Sequence, residues 1–133
     1  MRGLDTNLLV RYLVADDPKQ TQIVADLIAS AEERNDRLFV GTIALCELVW
    51  TLRSVYRVGR QGITSAVEAL LGSGVFAIQD RDLVRRALEH YRGGKADFSD
   101  YLLGEQDRKA GCIETLTFDR ELKATAGFRV LGR

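Results

Sequence analysis

Apolar residues follow two rhythms along this chain. Short apolar runs of three or four residues alternate with longer stretches in which apolar positions return every third or fourth residue. The first rhythm predicts buried strands and the second amphipathic helices. Leu4 closes a short first strand, and a helix follows from Asn7 to Val14. Pro18 suits the first turn of a second helix, whose apolar face carries Ile23, Leu27, Ile28 and Ala31. Leu38-Phe39-Val40 reads as strand two, with Gly41-Thr42 as turn and cap. A helix from Ile43 to Tyr56 shows Ile43, Cys46, Val49, Trp50 and Val55; Gly59 and Gly62 break it, and another helix runs through Val67 and Leu71. Val75 to Ile78 is strand three. Leu83, Val84, Ala87, Leu88 and Tyr91 form the stripe of the next helix, which Gly93-Gly94 ends. Phe98 to Ala110 is helical with Gly111 as its C-cap. Ile113 to Thr117 is strand four, Asp119 to Thr125 a short helix, and Phe128 to Leu131 strand five.

Strands alternating with helices imply right-handed crossovers and a parallel sheet in an α/β fold. Ligands of such sheets bind beyond the carboxyl ends of the strands. Asp5 stands after strand one and Asp119 after strand four, each just before a helix. Either alone is explained as an N-cap. Glu47 has only Ile43, Ala44, Trp50 and Thr51 three or four residues away, so no intrahelical ion pair accounts for it. It lies on the apolar stripe and faces inward, or borders the stripe and reaches water or a distant Arg. Asp97 and Asp100 open a helix, either as N-cap and N3 of a capping box or with Ser99 as the cap. Convergence of these acids would need a compensating charge, and hard divalent cations with oxygen ligands are the usual one. The single histidine, His90, sits on a helix face, and neither Cys46 nor Cys112 falls in a zinc spacing.

Composition narrows the class. With 133 residues, 46% of them hydrophobic and 29% charged, the chain is expected to be one globular domain, 1–133, and not a disordered one. No apolar run approaches the ~20 residues of a membrane span, and Met-Arg-Gly-Leu-Asp contains no secretory core, so a cytoplasmic protein with two buried free thiols is expected. Nineteen basic residues balance nineteen acidic ones, which disfavours a generic polyanion binder and leaves room for local basic patches. Arg53, Arg57 and Arg60 form one such run, free of acids. Arg85, Arg86, Arg92 and Lys95 form another group. Either is a candidate phosphate contact or a solvated face.

Four motifs together resemble the PIN-domain ribonucleases, most closely the VapC-type toxins of toxin–antitoxin pairs. They are Leu4-Asp5-Thr6-Asn7, Glu47 in the third helix, Asp97-Phe98-Ser99-Asp100-Tyr101-Leu102-Leu103, and Thr115-Leu116-Thr117-Phe118-Asp119-Arg120, in family order along the whole chain. The resemblance implies a three-layer α/β/α domain with a central, mostly parallel sheet of about five strands. It implies an endoribonuclease that depends on one or two Mg²⁺ or Mn²⁺ ions, with catalytic and metal-binding acids at Asp5, Glu47, Asp100 and Asp119, Asp97 as an extra acid, and Asn7 and Thr117 as polar helpers. It implies RNA as substrate, a small VapB-type antitoxin as partner and a homodimer. The segments Ile23–Ala31 and Ala44–Tyr56, with Trp50, are surfaces for such partners or plain core. Two departures stand out: strand one, Arg2-Gly3-Leu4, is more polar than usual, and Gly104 sits mid-helix where Ala is commoner. The alternatives are a PIN nuclease of RNA processing without an antitoxin, and a non-catalytic module whose acids only cap helices. A phosphotransferase of haloacid dehalogenase type would need an acid where Asn7 stands.

Overall fold

The structure, a computed structural model, describes residues 1–132. Its elements are β1 (Arg2–Gly3), α1 (Thr6–Leu13), α2 (Pro18–Glu33), β2 (Leu38–Val40), α3 (Thr42–Ser54), α4 (Arg60–Gly72), β3 (Phe76–Ile78), α5 (Arg81–Gly93), α6 (Phe98–Lys109), β4 (Thr115–Thr117), a 3₁₀ turn (Arg120–Leu122) and β5 (Phe128–Val130). Residue contacts gather into two compact units, Met1–Arg81 and Asp82–Arg133.

The first unit holds a parallel sheet in the order β1-β2-β3, with Gly3 opposite Phe39 and Phe39 opposite Ala77. β2 and β3 are buried at both ends because Leu38, Val40, Phe76 and Ile78 supply apolar side chains there. β1 is two residues long and exposed, as its polar sequence implies. Helix α1 packs against α2 and α3, and α3 against α4. Asp17 caps α2 by accepting from Gln20 N–H, ahead of Pro18 in the first turn. Asn35, with φ of 57°, closes α2: its N–H donates to Glu32 and that of Asp36 to Ala31, so two terminal carbonyls are satisfied. A polar knot ties α1 to α2 and to the end of α3. Arg11 reaches Asp16 at 2.6 Å, Gln20 at 2.7 Å and Tyr56 at 3.3 Å, while the Tyr56 hydroxyl donates to Asp16.

Helix α3 corrects two expectations. Its buried side is Leu45, Leu48, Val49 and Leu52, whereas Ile43, Trp50 and Val55 are exposed and Glu47 stands among them. The helix is apolar on more than one side, so periodicity alone does not select the inner face. The break after α3 falls before Gly59, which is the N-cap of α4, and not at Gly62, which lies inside α4. A Cβ there would come 2.6 Å from a Val58 methyl carbon, which explains a glycine in the first turn.

The second unit contains α5, α6 and the parallel pair β4–β5, with Thr115 opposite Phe128. Among the described residues there are five strands, three paired in parallel in the first unit and two paired in parallel in the second. Helix α6 ends at Gly111 (φ 98°), whose N–H donates to Arg108 while that of Cys112 donates to Asp107. This left-handed cap places Cys112 in solvent, so the expectation of two buried thiols holds for neither cysteine in full. Cys46 is half-buried, and burial pushes its thiol pKa up. The Tyr91 ring meets Phe98 and Tyr101 edge-on at 5.9 and 6.5 Å.

Gly104 has a reason as well. The Phe128 ring of β5 lies against it, and a Cβ would sit 2.5 Å from the nearest ring carbon. Gly104→Ala gains about 1 kcal/mol of helix propensity but overpacks this contact at about 1–3 kcal/mol. Chemical denaturation is expected to show a net loss of stability, and Phe128→Leu is expected to relieve part of it.

Candidate active site

Parallel pairing fixes where the loops after each strand emerge. In the first unit, the turns after β1 and β2 lie at the same edge of the sheet, because Gly3 aligns with Phe39. Asp5 and Gly41 are the residues that cap α1 and α3 there. Asp5 Oδ1 accepts from Thr6 N–H at 2.7 Å. Among the described residues its other oxygen has no partner, and no basic side chain lies within ion-pair distance. Asn7, in the first turn of α1, is exposed and lines a shallow apolar hollow with Leu8, Arg11 and Ile23.

Glu47 lies on the second turn of α3, roughly 7 Å along the axis from Thr42 at 1.5 Å per residue. It is exposed, which corrects the inward-facing reading; of the two placements open to it, the one that reaches water is observed. No hydrogen bond or ion pair engages its carboxylate among the described residues.

Three further groups stand at this edge: Gln79, which the sequence did not single out, and Thr6 and Thr42, which it named only within a motif and as a cap. Gln79, just past β3, accepts from Thr42 N–H through Oε1 at 2.8 Å and so replaces the cap that Gly41 cannot provide. The hydroxyls of Thr6 and Thr42, the first residues of α1 and α3, are buried without a partner among the described residues. An unsatisfied buried hydroxyl costs about 1–3 kcal/mol, so both are places for a water or a bound group.

In the second unit Asp97 and Asp100 are brought together as a capping box at the start of α6, with Asp97 N–H donating to Asp100 Oδ2 at 3.1 Å. Of the two placements open to this pair, Asp97 as N-cap is the one observed. Asp119 follows β4. Its N–H donates to Thr117 Oγ1 at 3.0 Å, and its Oδ1 accepts from Glu121 N–H at 2.9 Å. Thr117 thus holds the backbone of Asp119, and Asp119 Oδ2 is uncommitted among the described residues. Carboxylates at such turns are favoured by backbone N–H groups and the helix dipole.

These donors suit a hard divalent cation in kind: they are carboxylate oxygens. Asp5, Glu47 and Asp119 each keep at least one oxygen unengaged, and the orphan Thr6 hydroxyl adjoins Asp5. Within either unit, the described residues hold no group of three or more His, Cys, Asp or Glu side chains that could bind a metal by itself.

Comparison with known proteins decides the family. The PIN domain model matches residues 4–128. The chain belongs to the PIN-domain family. It is also 27% identical over 131 residues to a VapC ribonuclease of Aquifex aeolicus (strain VF5), covering 98% of this chain and 96% of that protein. The α/β class with parallel strands is that of the PIN fold. No helix among the described residues is long and apolar enough to cross a membrane.

The basic groups of this PIN domain divide unevenly. Arg57 is exposed in the left-handed loop before α4, and Arg53 and Arg60 both have interactions of their own. In the other group Arg85 pairs with Asp82 at 3.6 Å, Arg92 with Glu89 at 3.6 Å and Arg86 with Glu105 at 3.2 Å, so these arginines are largely engaged with neighbouring acids. Glu105 is a further acid that the sequence reading missed. It is only 3% exposed and also lies 3.5 Å from His90 Nε2. Its position was legible: Phe98, Tyr101, Leu102 and Glu105 fall at i, i+3, i+4 and i+7 on the buried side of α6.

The acids differ in their structural roles. Asp97→Ala removes an N-cap and is expected to lower stability by about 1 kcal/mol. Glu47→Gln changes an exposed, unengaged group and is expected to stay within about 0.5 kcal/mol of the parent. Urea titration of the two variants checks the contrast.

Proposed function

We propose that this PIN domain is a divalent-metal-dependent endoribonuclease and the toxin of a toxin–antitoxin pair. The observation that carries the reading is the end-to-end similarity to a VapC ribonuclease. The oxygens left uncommitted on Asp5, Glu47 and Asp119 support it. The proposed ligands of one or two Mg²⁺ or Mn²⁺ ions are Asp5, Glu47, Asp100 and Asp119, with Asp97 contributing directly or through water.

When bound, such ions supply a more acidic water and stabilise negative charge on phosphoryl oxygens. The residues supply the rest. Thr6 N–H holds one oxygen of Asp5, and Glu121 N–H holds one oxygen of Asp119, so each carboxylate presents its second oxygen in a fixed direction. Thr117 fixes the turn that carries Asp119. Asp100 is oriented by the Asp97 backbone. Asn7 and the orphan hydroxyl of Thr6 offer polar groups to water or phosphate at the same helix start. In the proposed reaction water adds in line to phosphorus and the bond to the 3′ oxygen breaks, leaving a 5′-phosphate and a 3′-hydroxyl. No side chain has to act as nucleophile.

The partners proposed are RNA as substrate, a second copy of the chain, and a small antitoxin of VapB type. Ile43 (78% exposed) and Trp50 (62% exposed) on α3, and Ile23 on α2, are apolar groups that such proteins would cover. The proposed compartment is the cytoplasm.

Loss of outer partners of metal ligands already costs about 10–100-fold in affinity or activity, so Asp5→Asn and Asp119→Asn are each expected to reduce RNA cleavage by more than about a hundredfold while thermal unfolding shows the fold retained. EDTA is expected to stop cleavage, and Mn²⁺ or Mg²⁺ to restore it. Full activity in Asp5→Ala/Asp119→Ala would refute the assignment. Expression of the wild-type chain is expected to arrest growth, with relief by co-expression of the small protein encoded beside it; absence of arrest would leave a nuclease without the toxin role.

A further inference from the structure

The second unit contains a cavity of about 650 Å³ that none of the proposed ligand acids lines. Its wall includes Lys95, Arg120 and Lys123, together with His90, Tyr101 and Glu121. We propose that this cavity binds the phosphodiester backbone of single-stranded RNA next to the bond to be cut. The inference rests on the nuclease reading and extends it to a substrate-holding site.

Charge is the first argument. Among the described residues, Lys95, Arg120 and Lys123 have no carboxylate within ion-pair distance, whereas Arg85, Arg86 and Arg92 of α5 are all paired. Glu89, also in the wall, is held by Arg92. Glu121 remains as one acid against three cations, so the cavity keeps an uncompensated positive excess in a chain whose net charge is zero. Concave positive surfaces concentrate anions.

The cavity is also a built feature. Tyr101 is buried, and its hydroxyl accepts from the backbone N–H of Lys95 and of Ala96, each at 3.2 Å. His90 stacks on the Tyr101 ring, with centroids 6.1 Å apart and planes 17° from parallel, and its Nε2 is directed to Glu105. A Cβ at Gly94 would overlap the Tyr101 hydroxyl, so the loop that carries Lys95 lies directly on this ring. The backbone of Lys95 is therefore fixed while its ammonium is exposed.

Connectivity gives the third argument. Lys95 is two residues before Asp97, and Arg120 directly follows Asp119. A strand whose phosphate lay at Asp119 would pass its neighbouring phosphates along these cations. Ammonium and guanidinium groups beside the partly exposed His90 imidazole match the backbone-plus-stacking pattern of single-strand recognition.

The test is equilibrium binding of a fluorescent single-stranded RNA to the full chain in EDTA, which separates binding from cleavage. Lys95→Ala/Lys123→Ala is expected to weaken binding about tenfold and to reduce the slope of log affinity against log salt by about 1.4, from roughly 0.7 per phosphate contact on single strands. With metal added, KM is expected to rise more than kcat falls. Both positions are exposed, and matching thermal unfolding of variant and parent confirms an intact fold. Unchanged affinity and slope would overturn the proposal, as would displacement of the RNA by polyglutamate of equal charge, which would mark a site for acidic peptides. RNA bound with the expected slope by a parent protein that never cleaves it would defeat the nuclease reading and leave the cavity standing.

Discussion

Parallel strand pairing is the constraint on which the candidate site depends. A parallel ladder sends every strand out at the same edge, and the chain then enters a helix or turn whose first N–H groups lack partners. Asp5 and Asp119 occupy that place in their respective units and spend one oxygen on those N–H groups. Asp97 and Asp100 exchange the same favour at the start of α6 without a strand before them. Capping and ligation are thus compatible uses of one carboxylate: the backbone takes one oxygen and aims the other.

Capping alone accounts for each of these acids, so they were individually unremarkable in the sequence and drew attention only as a set. The order of elements, Pro18 at the start of α2, the limits of β2 and the left-handed end of α6 at Gly111 were all legible, because each follows from local chemistry. The face of α3 was not. Ile43, Trp50 and Val55 mimic a core stripe, and only packing against α1 and α4 reveals that Leu45, Leu48 and Leu52 are the inner residues. That ambiguity left the placement of Glu47 open between inside and water, and water is where it stands. Glu105 shows the opposite error: it sat in plain view on the apolar side of α6, and its partners Arg86 and His90 on α5 could not be inferred from spacing within one helix.

The cations show how little a net charge says. Fifteen arginines and four lysines cancel the acids in number, yet α5 neutralises most of its own while Lys95, Arg120 and Lys123 stay uncompensated among the described residues. Where a positive residue sits relative to its nearest carboxylate decides whether it can attract a polyanion.

Gly104 and Phe128 carry a consequence for how the chain can be handled. The last strand is fastened to the helix that presents Asp100 by an aromatic ring resting on bare backbone. Loss of Phe128 would strip that cover from α6 one helical turn beyond Asp100 and leave bare helix backbone facing water.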